Sequence, residues 1–476
     1  MTAPRPETTG GYQRIRDRRL ISWLAGEFVS HFGDQFFYVA VSVMAAKAGG
    51  AGALAVIISV GMLPRLVLML PGGALVDRLD PRRVMIWSDA VRVGLAAGIA
   101  LYAALGRPSV PVLLGFMLLF SVVGSVFDPA SNAIPVYAVR TEDLSRLQGI
   151  RTMLLRISII AGAPAGGLVV GLGGAPLAFG FDAVSFAFGA VAVAALRTRK
   201  PPAPPAPAVH AVGGGEAGSI ENAADGGDTG NIGNAAVGGD AASAADGVGK
   251  AKAGILRETV EGLRYTARTP LLLAVVLVLA GAEFAVTGPV SVGIPVLALE
   301  RGWGPPGYGL VLGCFGAGAL VGPLTISFVG GRLGRIGTPA LVATAIGCLF
   351  LAVVAVTPAL AVACVAAACM GLAVNFLSAV LIPMLQINAD PAYLGRVMST
   401  LSFGFTGLVP VSTALTGVLI AAWGISATIT AGAATAALVA LAGLTSRQLR
   451  HATIIGSGQT KGAPVAERLP TEPQEG

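Results

Sequence analysis

Glu27, His31, Asp34 and Tyr38 fall on one apolar stretch at steps of four, three and four residues. At about 100° per residue those steps bring all four side chains onto a single helical stripe. A charge at the centre of a membrane span costs about 2.5–3.5 kcal/mol on insertion scales, so each such group is a candidate for function. Three titratable groups stacked on one face are equipped to move a proton. The alternative use of the stripe is a buried polar network that orders the helix without titrating. Glu27 is nearest the end of the run and is expected to be wet. Arg65 lies in the next apolar run. Counting about 1.5 Å per residue, Asp34 sits about 20 Å deep and Arg65 about 16 Å, which allows an Asp34–Arg65 or His31–Arg65 contact. Such a pairing lowers the cost of burying both charges. Glu283 lies about 19 Å into a later run with no cation beside it in sequence. A carboxyl so placed can be neutralised by taking up a proton.

Other charges have plainer readings. Asp89 and Arg92, three apart, form a local pair near the end of their run, and Asp182 is expected to act as an interfacial cap or a member of a polar network. The four cysteines, Cys314, Cys348, Cys364 and Cys369, stand inside apolar runs without metal-like spacing. No phosphate-binding loop and no nucleophile–base pairing occurs either. No metal, no cofactor and no enzymatic reaction is therefore expected.

These residues need helices that live in lipid. Hydrophobic residues make up 54% of the 476 and charged residues 12%, with a mean hydropathy of +0.76. A soluble domain carries about 25% charged residues. The apolar runs last roughly 20 residues and do not alternate, which favours a helical bundle over a barrel. The expected fold is an all-α membrane protein with twelve transmembrane helices in two six-helix halves. The spans lie near 20–46, 52–76, 84–106, 109–128, 152–174 and 177–196, then 270–298, 307–329, 338–356, 358–385, 397–421 and 424–445. Around them the chain divides into a tail (1–19), a first half (20–197), a linker (198–254), a second half with a leading amphipathic helix (255–445) and a second tail (446–476).

Basic residues set the orientation. With the N-terminus inside, outward loops hold only Lys47, Arg107 and Arg301, whereas inward segments hold Arg14, Arg78, Arg82, Arg83, Arg140, Arg146, Arg151, Arg156, Arg396, Arg447 and others. That bias places both termini in the cytoplasm of a cell whose inner (plasma) membrane carries the protein. The same scatter argues against nucleic acid as the partner of the +7 net charge. The linker opens on a proline cluster from Pro201 to Pro207 and continues in Gly, Ala, Asn and Asp. It has too little apolar surface to fold and reads as a cytoplasmic tether. After it, Ile255, Leu256, Val260 and Leu263 share one face of a short helix suited to the membrane surface. Span 5 carries Gly162, Gly166, Gly167 and Gly171, and span 8 carries Gly309, Gly313, Gly316, Gly318 and Gly322. Small residues four apart let helices cross closely and slide.

Between spans 2 and 3 stands Gly73-Ala74-Leu75-Val76-Asp77-Arg78-Leu79-Asp80-Pro81-Arg82-Arg83. Further stretches are Gly33-Asp34, Asp128-Pro129-Ala130 with Ile134-Pro135, Glu261-Gly262-Leu263-Arg264-Tyr265, and Pro391 with Gly395-Arg396-Val397-Met398. Together they resemble the major facilitator superfamily, in the bacterial branch that holds the enterobactin exporter and macrolide-efflux-like proteins. The resemblance covers the chain apart from linker and tails, and none of its motifs names a substrate. It implies alternating access by rocking of two halves. It also implies a gate of Gly73, Asp77, Arg78, Arg82, Arg83, Asp128 and Arg396. There Asp77 docks on the N-terminus of span 11 near Arg396, and Arg82 or Arg83 reaches Asp128, contacts that latch the inner gate closed in the outward-facing state. Two features depart from proton-driven exporters: span 5 reads Gly162-Ala163-Pro164-Ala165-Gly166-Gly167, and span 4 carries no basic residue.

The expected function is proton-coupled export of a small amphipathic compound by a monomer, with protons and membrane lipid as its other partners. Proton coupling is assigned to Glu27, His31, Asp34, Arg65 and Glu283. Substrate contact is assigned to Tyr38, Asn375, Phe403 and Phe405. The other readings are an uptake or lipid-flipping transporter of the same fold, and a non-transporting membrane sensor or scaffold.

Overall fold

A computed structural model describes residues 17–106, 108–196, 263–329, 337–390 and 393–450. Linker 198–254, most of the surface helix from Ile255 and the loop 330–336 fall outside the described residues, as do the outer parts of both tails. Every described element is helical, and ten helices are long and apolar enough to cross a bilayer. With no water at that depth, each backbone N–H must find its partner within its own helix, which leaves helices as the available form.

The N-terminal group is α1 (Arg18–Arg78), α2 (Pro81–Ala104), α3 (Val110–Ala138) and α4 (Thr141–Ala195). Two of these are much longer than a bilayer is thick, at 61 and 55 residues. Both are broken: α1 at Gly49–Gly50 and α4 at Gly174. Gly50 and Gly174 take φ of +65° and +74°, a conformation that strains any residue with a Cβ. The C-terminal group begins with α5 (Pro270–Gly288), which passes through a π-helical turn, Pro289–Gly293, into α6 (Ile294–Glu300). It continues with α7 (Gly304–Val329), α8 (Gly337–Val356), α9 (Leu360–Asn388), α10 (Leu394–Gly407), α11 (Val409–Trp423) and α12 (Ile425–Ala442).

The two groups meet mainly through α1 and α4 on one side and α7 and α11 on the other. Along α4 and α7 the backbones nearly touch. A Cβ on Gly309 would run into the Ala163 carbonyl, and one on Gly167 into that of Pro305. On the other flank Ala55 packs on Gly417, and the Ser59 and Thr413 hydroxyls bond at 2.7 Å. These contacts lie toward the end of the bundle where Gly50, Gly174 and Gly424 reverse the chain. Among the described residues, the opposite end, with the turns at Asp80, Arg140 and Asp390, shows no comparable contact between the two groups. There α10 packs on α5 and α11.

One buried ion pair ties the N-terminal group near that second end. Arg151 on α4 donates Nε to Glu27 of α1 at 2.7 Å, with further bonds to Ser131 and Asn132 of α3. Ser131 also donates to Glu27, at 2.8 Å. Glu27 is thus not wet but 7% exposed. Arg151 crosses from α4 to neutralise it, and one carboxylate joins three helices.

Removing one partner of a buried pair leaves an unanswered charge, at a cost of about 3–5 kcal/mol. Arg151→Met alone should therefore lower the thermal midpoint of the detergent-purified protein more than the double variant Glu27→Leu with Arg151→Met does. Equal losses would show that the pair contributes no coupling. The α7–α9 seam gives a second expectation, because a Cβ on Gly318 would meet the Ala368 carbonyl. Gly318→Leu should cost about 1–3 kcal/mol or more by overpacking. An unshifted midpoint would mean that the helices part freely.

Candidate functional site

The kinked α1, with α2, α3 and α4, encloses a cavity of about 690 Å³ against the π-helical turn after α5 and against α7 and α11. It runs from Ser42, Val290 and Tyr308 on the sealed side toward Arg65, Asp128 and Arg156. Apolar surface comes from Phe37, Met62, Met117 and Phe120. The C-terminal wall, Val290, Ser291, Tyr308, Leu312 and Val409, carries no charge. Every formal charge on the lining comes from α1–α4.

Four of the ionisable side chains on the wall stand as two pairs. His31 Nδ1 lies 3.3 Å from Asp34 Oδ2, both about 30% exposed to the cavity. The Arg65 guanidinium is hydrogen-bonded and ion-paired to Asp128 on α3. Arg65 thus does not take Asp34 or His31 as its hydrogen-bond partner, as the matched depths allowed. Asp128 sits across the cavity wall from Arg65 on α3, and a bond between whole charges outbids a contact to a carboxylate already shared with an imidazole. All four groups nonetheless face one space, with Tyr38 beside them.

Arg92, also on the wall, leads into a buried layer behind it. Its guanidinium lies over the Phe127 ring at 3.9 Å and 3.9 Å from Asp89. Asp89 Oδ1 and Asp182 Oδ2 are buried without a hydrogen-bond partner among the described residues. Asp182 is 0% exposed and accepts from Ser185, so of its two expected uses it has that of a buried network member and not of an interfacial cap. Gly33 makes room for it: a Cβ there would collide with Ser185 and Asp182. The missed residues, Asp182, Asp89 and Arg151, had a signal in the cost of a mid-span charge. What the pattern lacked was the neighbouring helix that would receive each one.

The gating residues take other partners in this structure. Arg82 does not reach Asp128. It donates Nε to Val193 O at 3.2 Å and bonds Ala194 O, capping the C-terminal carbonyls of α4, where the helix dipole favours a cation. Arg83 is exposed and stands 3.9 Å from Asp80, which itself accepts from the Arg82 N–H as N-cap of α2. The side chains of Gly73, Asp77 and Arg78 lie outside the described residues. Arg396, at the start of α10, lies 5.2 Å from the Tyr393 ring centroid, and Tyr393 stacks on Tyr265 at 4.5 Å.

Of the expected substrate contacts, Tyr38 lines the cavity and the other three do not. Asn375 donates to its own helix at Gly371 O, on the side of α9 where Gly322 of α7 approaches. Phe403 turns outward at 66% exposure, while Phe405 packs with the buried side chains around Leu385 and Val397. α10 lies on α5 rather than on the cavity, so no side chain from it reaches the wall. Glu283 also stays off the wall and accepts from Thr287 at 2.9 Å.

Comparison with known proteins gives this architecture its family. The model of the Major Facilitator Superfamily matches residues 23–335. The multidrug efflux pump Tap of Mycobacterium tuberculosis is 30% identical over 158 residues, 32% of this chain. That match spans 37% of the length of Tap. Macrolide efflux protein A of Streptococcus pyogenes is 25% identical over 386 residues, 79% of this chain and 82% of that one. The crystal structure of the nucleoside transporter NupG superposes with a TM-score of 0.63 at 12% identity, over 90% of this chain and 99% of that one. At such identity the superposition speaks for the fold alone. The apolar helices make it a multi-pass membrane protein, the family match covers well over half of the sequence, and the chain belongs to the major facilitator superfamily.

Proposed function

We propose that this protein exports small amphipathic compounds across the inner membrane in exchange for protons. The observation that carries the reading is the cavity, closed at its Gly50 end and walled by the pairs His31–Asp34 and Arg65–Asp128. Both pairs belong to the N-terminal group and face the uncharged C-terminal wall across the cavity, where a proton or a substrate can take the place of either partner.

Breaks at Gly49–Gly50 and Gly174 divide two of the ten long helices. Counted so, the chain crosses twelve times, as two six-helix halves with both termini cytoplasmic. The described residues then hold the molecule open toward the cytoplasm. The turn from Gly73 to Arg83, with Arg396, lies at the open end, where closure in the outward-facing state would bring the halves together. Export, rather than uptake or lipid flipping, is supported by the efflux proteins that the sequence resembles. The protein works as a monomer in this reading, because each subunit contains a whole cavity.

Asp34 is the foremost proton carrier, since it faces the cavity with the His31 imidazole 3.3 Å away. Glu283, bonded only to a hydroxyl among the described residues, is the second. Glu27 drops out, because Arg151 neutralises it in every step that keeps α1 and α4 together.

The test is proton release from detergent-purified protein on addition of ethidium, erythromycin or a dansylated amino acid. Wild type should release protons with at least one compound. Asp34→Asn should abolish that release or cut the apparent affinity about tenfold, the worth of one charge-assisted bond, while Glu27→Gln should leave the proton signal per folded molecule unchanged. Binding without proton release in every variant would replace antiport by uniport or by a sensing role.

A further inference from the structure

Three guanidinium groups line the cavity, and their situations differ. Arg65 is committed to Asp128, and Arg92 is buried between Asp89 and the Phe127 ring. Arg156 is exposed to the cavity, and among the described residues no carboxylate and no carbonyl engages it. It stands on the face of α4 that also presents Thr152 and Ile159, steps of four and three that hold one stripe toward the cavity. Gln35 of α1 lines the same space. The opposing C-terminal wall offers no charge that could answer it.

We propose that Arg156 binds an anionic group of the transported compound, which makes the substrate class an amphipathic carboxylic acid. The guanidinium fork takes both carboxylate oxygens, as it does in protein ion pairs. Thr152 and Gln35 supply neutral hydrogen bonds at its sides. The apolar body lies on Phe37, Met62, Met117 and Phe120, whose flexible thioethers and rings accept varied shapes. An amine elsewhere on the same compound meets Asp34. The assignment rests on reading the cavity as the substrate site, and it extends that reading from size to charge.

The rival account is an arginine that keeps its head in water near the cavity mouth and touches nothing. Binding separates the two. Dansyl-L-phenylalanine and its methyl ester differ at the carboxylate alone, and each can be titrated by fluorescence into the full-length protein in detergent. Wild type should bind the acid about tenfold more tightly than the ester, the worth of a charge-assisted pair. Arg156→Gln should erase that preference and leave the ester's affinity unchanged, which also shows that the variant is folded. Arg156→Lys should keep part of it. Arg146→Gln, exposed on the same helix away from the cavity, should alter neither affinity. Equal affinity for acid and ester in wild type, binding of neither, or a preference that survives Arg156→Gln overturns the assignment. An acid preference without any proton signal would keep the assignment and remove the coupling. A proton signal without acid preference would do the reverse.

Discussion

A hydrocarbon layer offers a charge nothing to bind, so each ionised side chain at depth must be met by another part of the protein or by water that the protein admits. Much of this structure follows from how the N-terminal helices meet that demand. Glu27 is answered from α4 by Arg151, Arg65 from α3 by Asp128, and Asp34 by His31 on its own helix. The first two partners arrive along another helix, so those charges also fix which helices must stay together. The first pair is buried and shared among three helices. The other two border a space that water can enter. A lasting tie and an exchangeable one are thus built from the same residue types, and the degree of burial separates them.

The spans themselves were legible because the signal for them is long and one-dimensional. Twenty apolar residues in a row admit few other readings, and the depth of Asp34, Arg65 or Glu283 follows from counting. Azimuth relative to neighbours does not follow. Glu27 counted as shallow and wet, yet Arg151, read only as one more inward basic residue, covers it. Arg82 counted as a gate residue and is engaged by the C-terminal carbonyls of α4. Phe403 and Asn375 stood at sensible depths, but their helices present those positions to the outside and to α7. Depth along a helix is a property of the sequence. Which way a side chain faces in a bundle depends on helices more than a hundred residues away, as in the 124-residue step from Glu27 to Arg151.

At the sealed end the halves are held in a different manner. Gly309 against Ala163 and Gly167 against Pro305 bring bare backbone into contact, and Ser59–Thr413 adds a single hydroxyl pair. Such a seam depends on close dispersion contact over a smooth surface. It has no large desolvation barrier to overcome on parting and no strong bond to reform, so the two groups can separate there at low cost. The charge-bearing turns are kept for the other end, where water is available to stabilise them when they separate.

The π-helical turn at Pro289–Gly293 carries a mechanical consequence of its own. A turn wound one residue wider than its neighbours stores a residue of slack within an otherwise continuous rod. Two of its members, Val290 and Ser291, form part of the cavity wall. Rewinding it to the α form would twist the downstream segment by about 100° relative to the upstream one. Both side chains would then be carried around the axis and off the wall. The extra residue of this turn therefore decides which side chains the helix presents to the cavity, because a plain α-helix of the same sequence would turn Val290 and Ser291 elsewhere.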